Sequence, residues 1–224
     1  ITTDTPFAGD QVQPASLDLR LGRRAYRVRA SFLPGLGRRV VERLESVALH
    51  EIDLTQGAVL ETGCVYIAEI LEGLALPAEL AASANPKSST GRLDVFTRVI
   101  VDGSREFDII DAGYTGPLYA EISPRTFPVL VRTGARLSQV RFRAGVSRLD
   151  DAALAALHDR ERIVTSAAPS IQDGVAVSVD LSGFDSGGLI GYRAKRHTGL
   201  VDVDRIGAYA VHDFWEPLYG HGEG

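Results

Sequence analysis

The chain has one cysteine and no methionine in 224 residues. A single thiol, Cys64, excludes an intrachain disulfide and leaves no His/Cys/Cys set for a zinc centre. It lies in Thr62-Gly63-Cys64-Val65-Tyr66-Ile67, alternating with apolar residues. The expectation is therefore a buried strand position and not a reactive thiol. No apolar run approaches the roughly 18 residues of a membrane helix, and no basic-then-apolar signal opens the chain. A cytoplasmic location with no membrane partner is expected. Cationic charge is also short, with 24 Lys and Arg against 29 Asp and Glu for a net charge of -5. No electrostatic footprint for nucleic acid follows, so an anionic ligand would need a local group of arginines and backbone amides. The five histidines are scattered without metal-ligand spacing.

What is present is a normal globular balance, 45% apolar and 24% charged, enough for a sizeable core. Strand patterns dominate. Ser16–Gly22 alternates apolar and polar residues, and similar segments are Ala58–Leu71, Val95–Val101, Pro117–Ile122, Val129–Arg132 and Leu137–Phe142. Glycine and proline separate them, which predicts an all-β sandwich or jelly-roll-like barrel. Two helices are expected, Pro77–Ala84 with proline at its first position and Asp150–Arg162 with acids at its start.

The predicted organisation is a β domain over 1–148, a helix and linker over 149–173, and a further segment over 174–224. With a shift of 162 positions, Ser178–Leu181 falls on Ser16–Leu19 and Ala210–Asp213 on Ala48–Glu51. Between 16 and 53 there are 8 identities in 38 positions. Residues 174–224 are thus expected to begin a second, incomplete copy of the first domain, the alternative being a C-terminal extension that packs on the first domain or on a neighbouring subunit. His50 and His212 fall on one another, which suggests a structural role in each.

Four segments stand out in order. They are Gln13–Gly22 (QPASLDLRLG), Pro86–Leu93 (PKSSTGRL), Ile110–Gly116 (IDAGYTG) and Gly134–Val140 (GARLSQV). Together they resemble motifs of the dCTP deaminase branch of the dCTP deaminase/dUTPase superfamily: its opening strand, its Arg-Ser-Ser-x-x-Arg-Leu segment, its Ile-Asp-Pro-Gly-Trp turn and its late Gly-x-x-Ile-x-Gln strand. The resemblance covers about residues 11–145, and the internal repeat resembles a double-length subgroup of these enzymes. It implies a distorted jelly-roll, dUTPase-like fold, trimer-type homo-oligomers, and active sites built between subunits.

Removing the amino group of cytosine requires a group that takes a proton from water and returns it. By its match to the family motif, Glu121 in Leu118-Tyr119-Ala120-Glu121-Ile122 is the implied catalytic acid and base; its bare alternative is a solvated strand glutamate. Lys87, Ser88, Ser89 and Arg92 form a candidate phosphate cradle in which hydroxyls and amides donate and Arg92 donates bidentately. A capped polar turn is the alternative. Asp111 and Tyr114 are implied to shape the base and sugar pocket, and Gln139 is implied to touch nucleotide unless it only pairs with a neighbouring strand.

Two departures from the pattern are visible. Phe107-Asp108-Ile109 replaces a small residue, histidine and arginine ahead of Ile-Asp, and Val101–Arg105 has the look of an inserted hairpin turn. The expected activity is hydrolysis of dCTP to dUTP and ammonia, zinc-independent, with Mg²⁺ carried by the triphosphate and dTTP as an inhibitor. A dUTPase or a bifunctional deaminase and dUTP diphosphatase is the first alternative. A non-catalytic nucleotide-binding or assembly domain is the second.

Overall fold

A computed structural model of the chain describes residues 1–145, 148–166, 168–183 and 187–220. In chain order the strands and helices are β1 (Val12–Gln13), β2 (Ser16–Val28), α1 (Val40–Val47), β3 (Ala48–Asp53), β4 (Ala58–Leu60), β5 (Val65–Ala75) and β6 (Leu80–Pro86). There follow α2 (Ser88–Arg92), β7 (Val95–Val101), β8 (Ile109–Ile110), β9 (Thr115–Pro124), β10 (Val129–Val131) and β11 (Arg136–Ala144). The remaining elements are α3 (Asp151–Glu161), β12 (Leu189–Ala194), β13 (Val201–Asp202), α4 (Val211–Phe214) and β14 (Trp215–Tyr219).

One unit comprises Ile1–Gly145 with Arg196–Ala210. It has the all-β character expected from sequence, and β2 organises it. The second half of β2 pairs with β5 and β3, while its first half pairs with β11 and β1. The sheet runs β7-β9-β5-β2-β11-β6-β8, and every named pairing in it is antiparallel. Leu17, Leu19 and Leu21 are buried on one side of β2, as the alternation predicts. Asp18 and Arg20 on the other side are buried as well, so the strand is covered on both faces and its polar groups must find partners.

Helix α1 closes one face of the sheet. Its Val40 and Leu44 pack with Val28, Phe32, Ile67, Ile100 and Tyr119; each such side chain contributes about 1.5–3 kcal/mol on full burial. A smaller sheet runs β13-β10-β4, with β13 parallel to β10. Residues 196–210, placed by the sequence reading in the start of a second copy, thus contribute a strand to this unit.

The other unit comprises Val146–Lys195 and Val211–Gly224. Its helix α3 carries the expected ends: Asp150 accepts from Ala153 N at 2.8 Å, and Arg162 closes the helix with φ 49°. Strands β12 and β14 pair antiparallel. Residues 178–181, which the 162-residue shift sets on Ser16–Leu19, lie outside any strand.

The expected helix at Pro77–Ala84 is not formed. Leu80–Pro86 is β6, whose Ala82 faces Phe142 of β11, and this long-range pairing overrides the local helical preference of Glu79, Leu80 and the alanines. Pro77 instead opens a turn, its carbonyl accepting from Leu80 N at 3.1 Å. Cys64 is also not in a buried strand. It is half-buried in the β4–β5 turn, which Gly63 makes with φ 76° while its amide donates to Pro124 O at 2.8 Å.

Candidate active site

Glu121 lies on β9, opposite Ile67 of β5 and Arg98 of β7, and is 2% exposed. It is therefore not a solvated strand glutamate. The β7–β9 register is continuous from Leu118 to Pro124, so plain alternation puts Glu121 and Tyr119 on one face of β9. Arg98 donates to Glu121 Oε1 through Nε at 3.1 Å and through Nη2, and Nη2 also donates to Ser31 Oγ at 3.0 Å. Glu121 Oε2 is buried and meets no hydrogen-bond partner among the described residues.

The guanidinium of Arg98 stands over two rings, with centroids at 3.5 Å for Phe107 and 4.8 Å for Phe96. Beside it Asp108 takes φ 65°, and its Oδ1 accepts from Val99 N at 2.8 Å. Burial raises the Asp108 pKa above the usual carboxylate value, and the negative charge of Glu121 adds to that rise. Nothing in sequence spacing pointed to Arg98 or Asp108. The only signal was the Phe107-Asp108-Ile109 departure.

Lys87–Arg92 is one short helical turn joining β6 to β7, held by the Lys87 amide donating to Leu137 O at 2.9 Å. The side chains of Ser88, Ser89 and Arg92 are exposed and make no hydrogen bond or ion pair among the described residues. Lys87 is committed elsewhere: its Nζ pairs with Asp18, a carboxylate only 2% exposed. Gln139 lies on β11 between Asp18 of β2 and Asn85 of β6, and its Oε1 accepts from Ser16 Oγ at 2.7 Å. Arg136 reaches Asp18 at 3.8 Å and Asp10 at 2.8 Å. Lys87, Gln139, Asp18, Ser16 and Arg136 therefore form one polar patch, of which the sequence reading had named the first two.

Asp111 and Tyr114 form the third group. They line a cleft of about 660 Å³ together with Asp102, Ser104, Arg105 and Ile109. The inserted segment thus builds one wall of it. Tyr114 donates from its hydroxyl to Pro117 O at 2.7 Å and accepts from Asp102 N at 3.3 Å, and burial pushes the phenol pKa well up. Gly116 is required here by close approach, since a Cβ would lie 2.6 Å from the Tyr114 hydroxyl oxygen. Within one chain no hydrogen bond or ion pair links Glu121 to Lys87, Ser88, Ser89, Arg92, Asp111 or Gln139 among the described residues. Nor do the described residues bring three or more His, Cys, Asp or Glu side chains into a metal-holding group.

The fold and site together define an all-β protein with a glutamate buried in its main sheet and an exposed serine–arginine turn just ahead of β7. Comparison with known proteins narrows this. Residues 1–146 match the family model described as the 2'-deoxycytidine 5'-triphosphate deaminase N-terminal domain, and residues 150–224 match the C-terminal domain of the same family. The chain belongs to the 2'-deoxycytidine 5'-triphosphate deaminase family.

A crystal structure of 2'-deoxycytidine 5'-triphosphate deaminase from Agrobacterium tumefaciens is 60% identical with a TM-score of 0.91, covering 99% of this chain and 66% of that one. A dUMP-forming dCTP deaminase of Beutenbergia cavernae is 30% identical over 138 residues, 61% of this chain and 68% of the relative. A dCTP deaminase of Halorubrum lacusprofundi is 30% identical over 134 residues, 59% and 63% respectively. The chain spans about two thirds of the length of the Agrobacterium protein. Among the described residues no helix is long and apolar enough to cross a membrane.

Proposed function

We propose that this protein hydrolyses dCTP to dUTP and ammonia. The observation that carries the reading is the carboxylate of Glu121, buried with one oxygen fixed by Arg98 and the other without a hydrogen-bond partner among the described residues. A carboxylate so placed takes a proton from water attacking C4 of cytosine and returns it to the departing amine, a contribution of about 10²–10⁴-fold. One cysteine provides no zinc-type ligand set, so the reading is a zinc-independent deaminase. Ser88, Ser89 and Arg92, exposed and unattached, would hold the triphosphate with its Mg²⁺. Asp111, Tyr114 and Gln139 would contact sugar and base. These groups occupy separate places in one chain, which favours sites assembled between copies of the protein in a trimer-type oligomer.

The Beutenbergia relative is a dUMP-forming dCTP deaminase, which makes release of pyrophosphate the second reading. One experiment tests both: ammonia, pyrophosphate and nucleotide products are followed with dCTP for wild type and Glu121→Gln. Ammonia from wild type, lost in the variant, supports the assignment. Pyrophosphate together with dUMP would favour the bifunctional reading, and calorimetric binding of dCTP without product would favour a nucleotide-binding domain.

A further inference from the structure

The surroundings of Arg98 are more specific than an ion pair needs. Phe107 lies directly under the guanidinium, Phe96 flanks it from the same strand, Ser31 accepts from Nη2, and Glu121 Oε1 receives two of its donors. A planar guanidinium resting on a ring has little rotational freedom, so the plane of the carboxylate it binds is fixed too. Asp108, the other nearby carboxylate, accepts instead from Val99 N through Oδ1 and receives no hydrogen bond from Arg98 among the described residues. Phe107 and Asp108 belong to the run that departs from the family pattern. That departure therefore supplies the ring under Arg98 and the second charge beside it.

We infer that Arg98 is a positioning residue for the deamination proposed above, on which this inference rests: it clamps Glu121 through Oε1 and thereby makes Oε2 the proton-transferring atom. The atoms balance without any co-reactant. As the water oxygen bonds to C4, Oε2 receives one of its protons; the two water protons finish on N3 of the pyrimidine and on the amine, the C4–N bond breaks, ammonia leaves, and the carboxylate is restored. A carboxylate free to swing would spend much of its time with neither oxygen facing the water, and such misplacement costs orders of magnitude in rate.

The test compares Arg98→Ala and Arg98→Lys with wild type in ammonia release from dCTP, in calorimetric dCTP binding, and with guanidinium chloride added at millimolar concentration. The expected result for Arg98→Ala is a kcat lower by about a hundredfold or more. Its dCTP affinity should be unchanged, and added guanidinium should partly restore turnover while giving nothing to Glu121→Gln. Arg98→Lys, which keeps the charge without the fork, should fall between the two, and it decides the question alone if the alanine variant does not fold. A wild-type kcat in either variant overturns the inference. So does a loss explained by weaker dCTP binding, or one that guanidinium leaves untouched in a folded alanine variant. Failure of the parent reading is distinct, because wild-type protein itself would then release no ammonia.

Discussion

Glu72 closes on Arg20 with both of its oxygens, Oε1 accepting from Arg20 Nε at 2.7 Å and Oε2 from the Arg20 backbone amide at 2.8 Å. The Glu72 side chain is fully buried and that of Arg20 is 7% exposed. Gln11 completes the set by donating to Oε1 at 2.8 Å, and the remaining Arg20 donors reach the carbonyls of Pro6 and Thr5. This network ties the first eleven residues to β2 and β5. Glu72→Ala should cost about 3–5 kcal/mol, because it leaves a buried guanidinium uncompensated. Urea denaturation measures it, and a Glu72→Leu/Arg20→Met double variant should recover much of the loss.

That network also shows where sequence reading stops. Val95–Val101 is legible to its ends, since alternation and flanking turns report one strand. The alternation of Ser16–Gly22 reveals Leu17, Leu19 and Leu21 but assigns Asp18 and Arg20 to solvent. Their burial follows from Glu72 and Lys87, at distances along the chain that no local pattern contains. Glu121 is legible only through its motif spacing, and the side chain that holds it, Arg98, carries no motif. The separation of the site residues into three groups follows from strand order, which alternation does not specify.

Helix α1 is invisible in sequence for a related reason. Its N-cap residue is Arg39, and the first helical amide, Val40 N, is satisfied by Asp102 Oδ1 at 2.7 Å from the inserted turn after β7. A capping carboxylate is worth about 1 kcal/mol when replaced by alanine. Asp102→Ala should lower the melting midpoint by about 2–4 °C, the shift expected for a chain of this size. Asp102→Asn, which keeps the acceptor, should melt near wild type. Calorimetry of the three proteins checks the order.

Asp108 makes a pH-dependent prediction. Its folded pKa is raised, chiefly by burial, so the folded state binds its proton more tightly than the unfolded state does. The carboxyl's contribution is therefore most favourable below the ordinary carboxylate pKa, and it declines as pH rises through the raised folded value. Asp108→Asn removes the charge and keeps an acceptor for Val99 N, and asparagine tolerates the left-handed φ of 65°. Denaturation midpoints taken from pH 3 to 8 should show the variant gaining on wild type as pH rises. A difference that is flat with pH would reject the assignment.

Lys87 and Arg92 are five residues apart in one segment, yet they should fail in different ways. Lys87 neutralises the buried Asp18, so Lys87→Met leaves that carboxylate, among the described residues, with only Arg136 as an ion-pair partner, at 3.8 Å, and should mainly lower stability. Arg92 is exposed and pairs with nothing among the described residues, so its charge is available to a phosphate. A hydrogen bond to a charged group is worth about 1.5–3 kcal/mol, which corresponds to roughly ten- to a hundredfold in affinity. Arg92→Ala should raise the KM for dCTP by about that factor with an unchanged melting midpoint, and the defect should shrink as salt rises. Steady-state kinetics at two ionic strengths, beside thermal melts of both variants, separates these outcomes. A destabilised Arg92→Ala with normal KM would remove the arginine from the phosphate site.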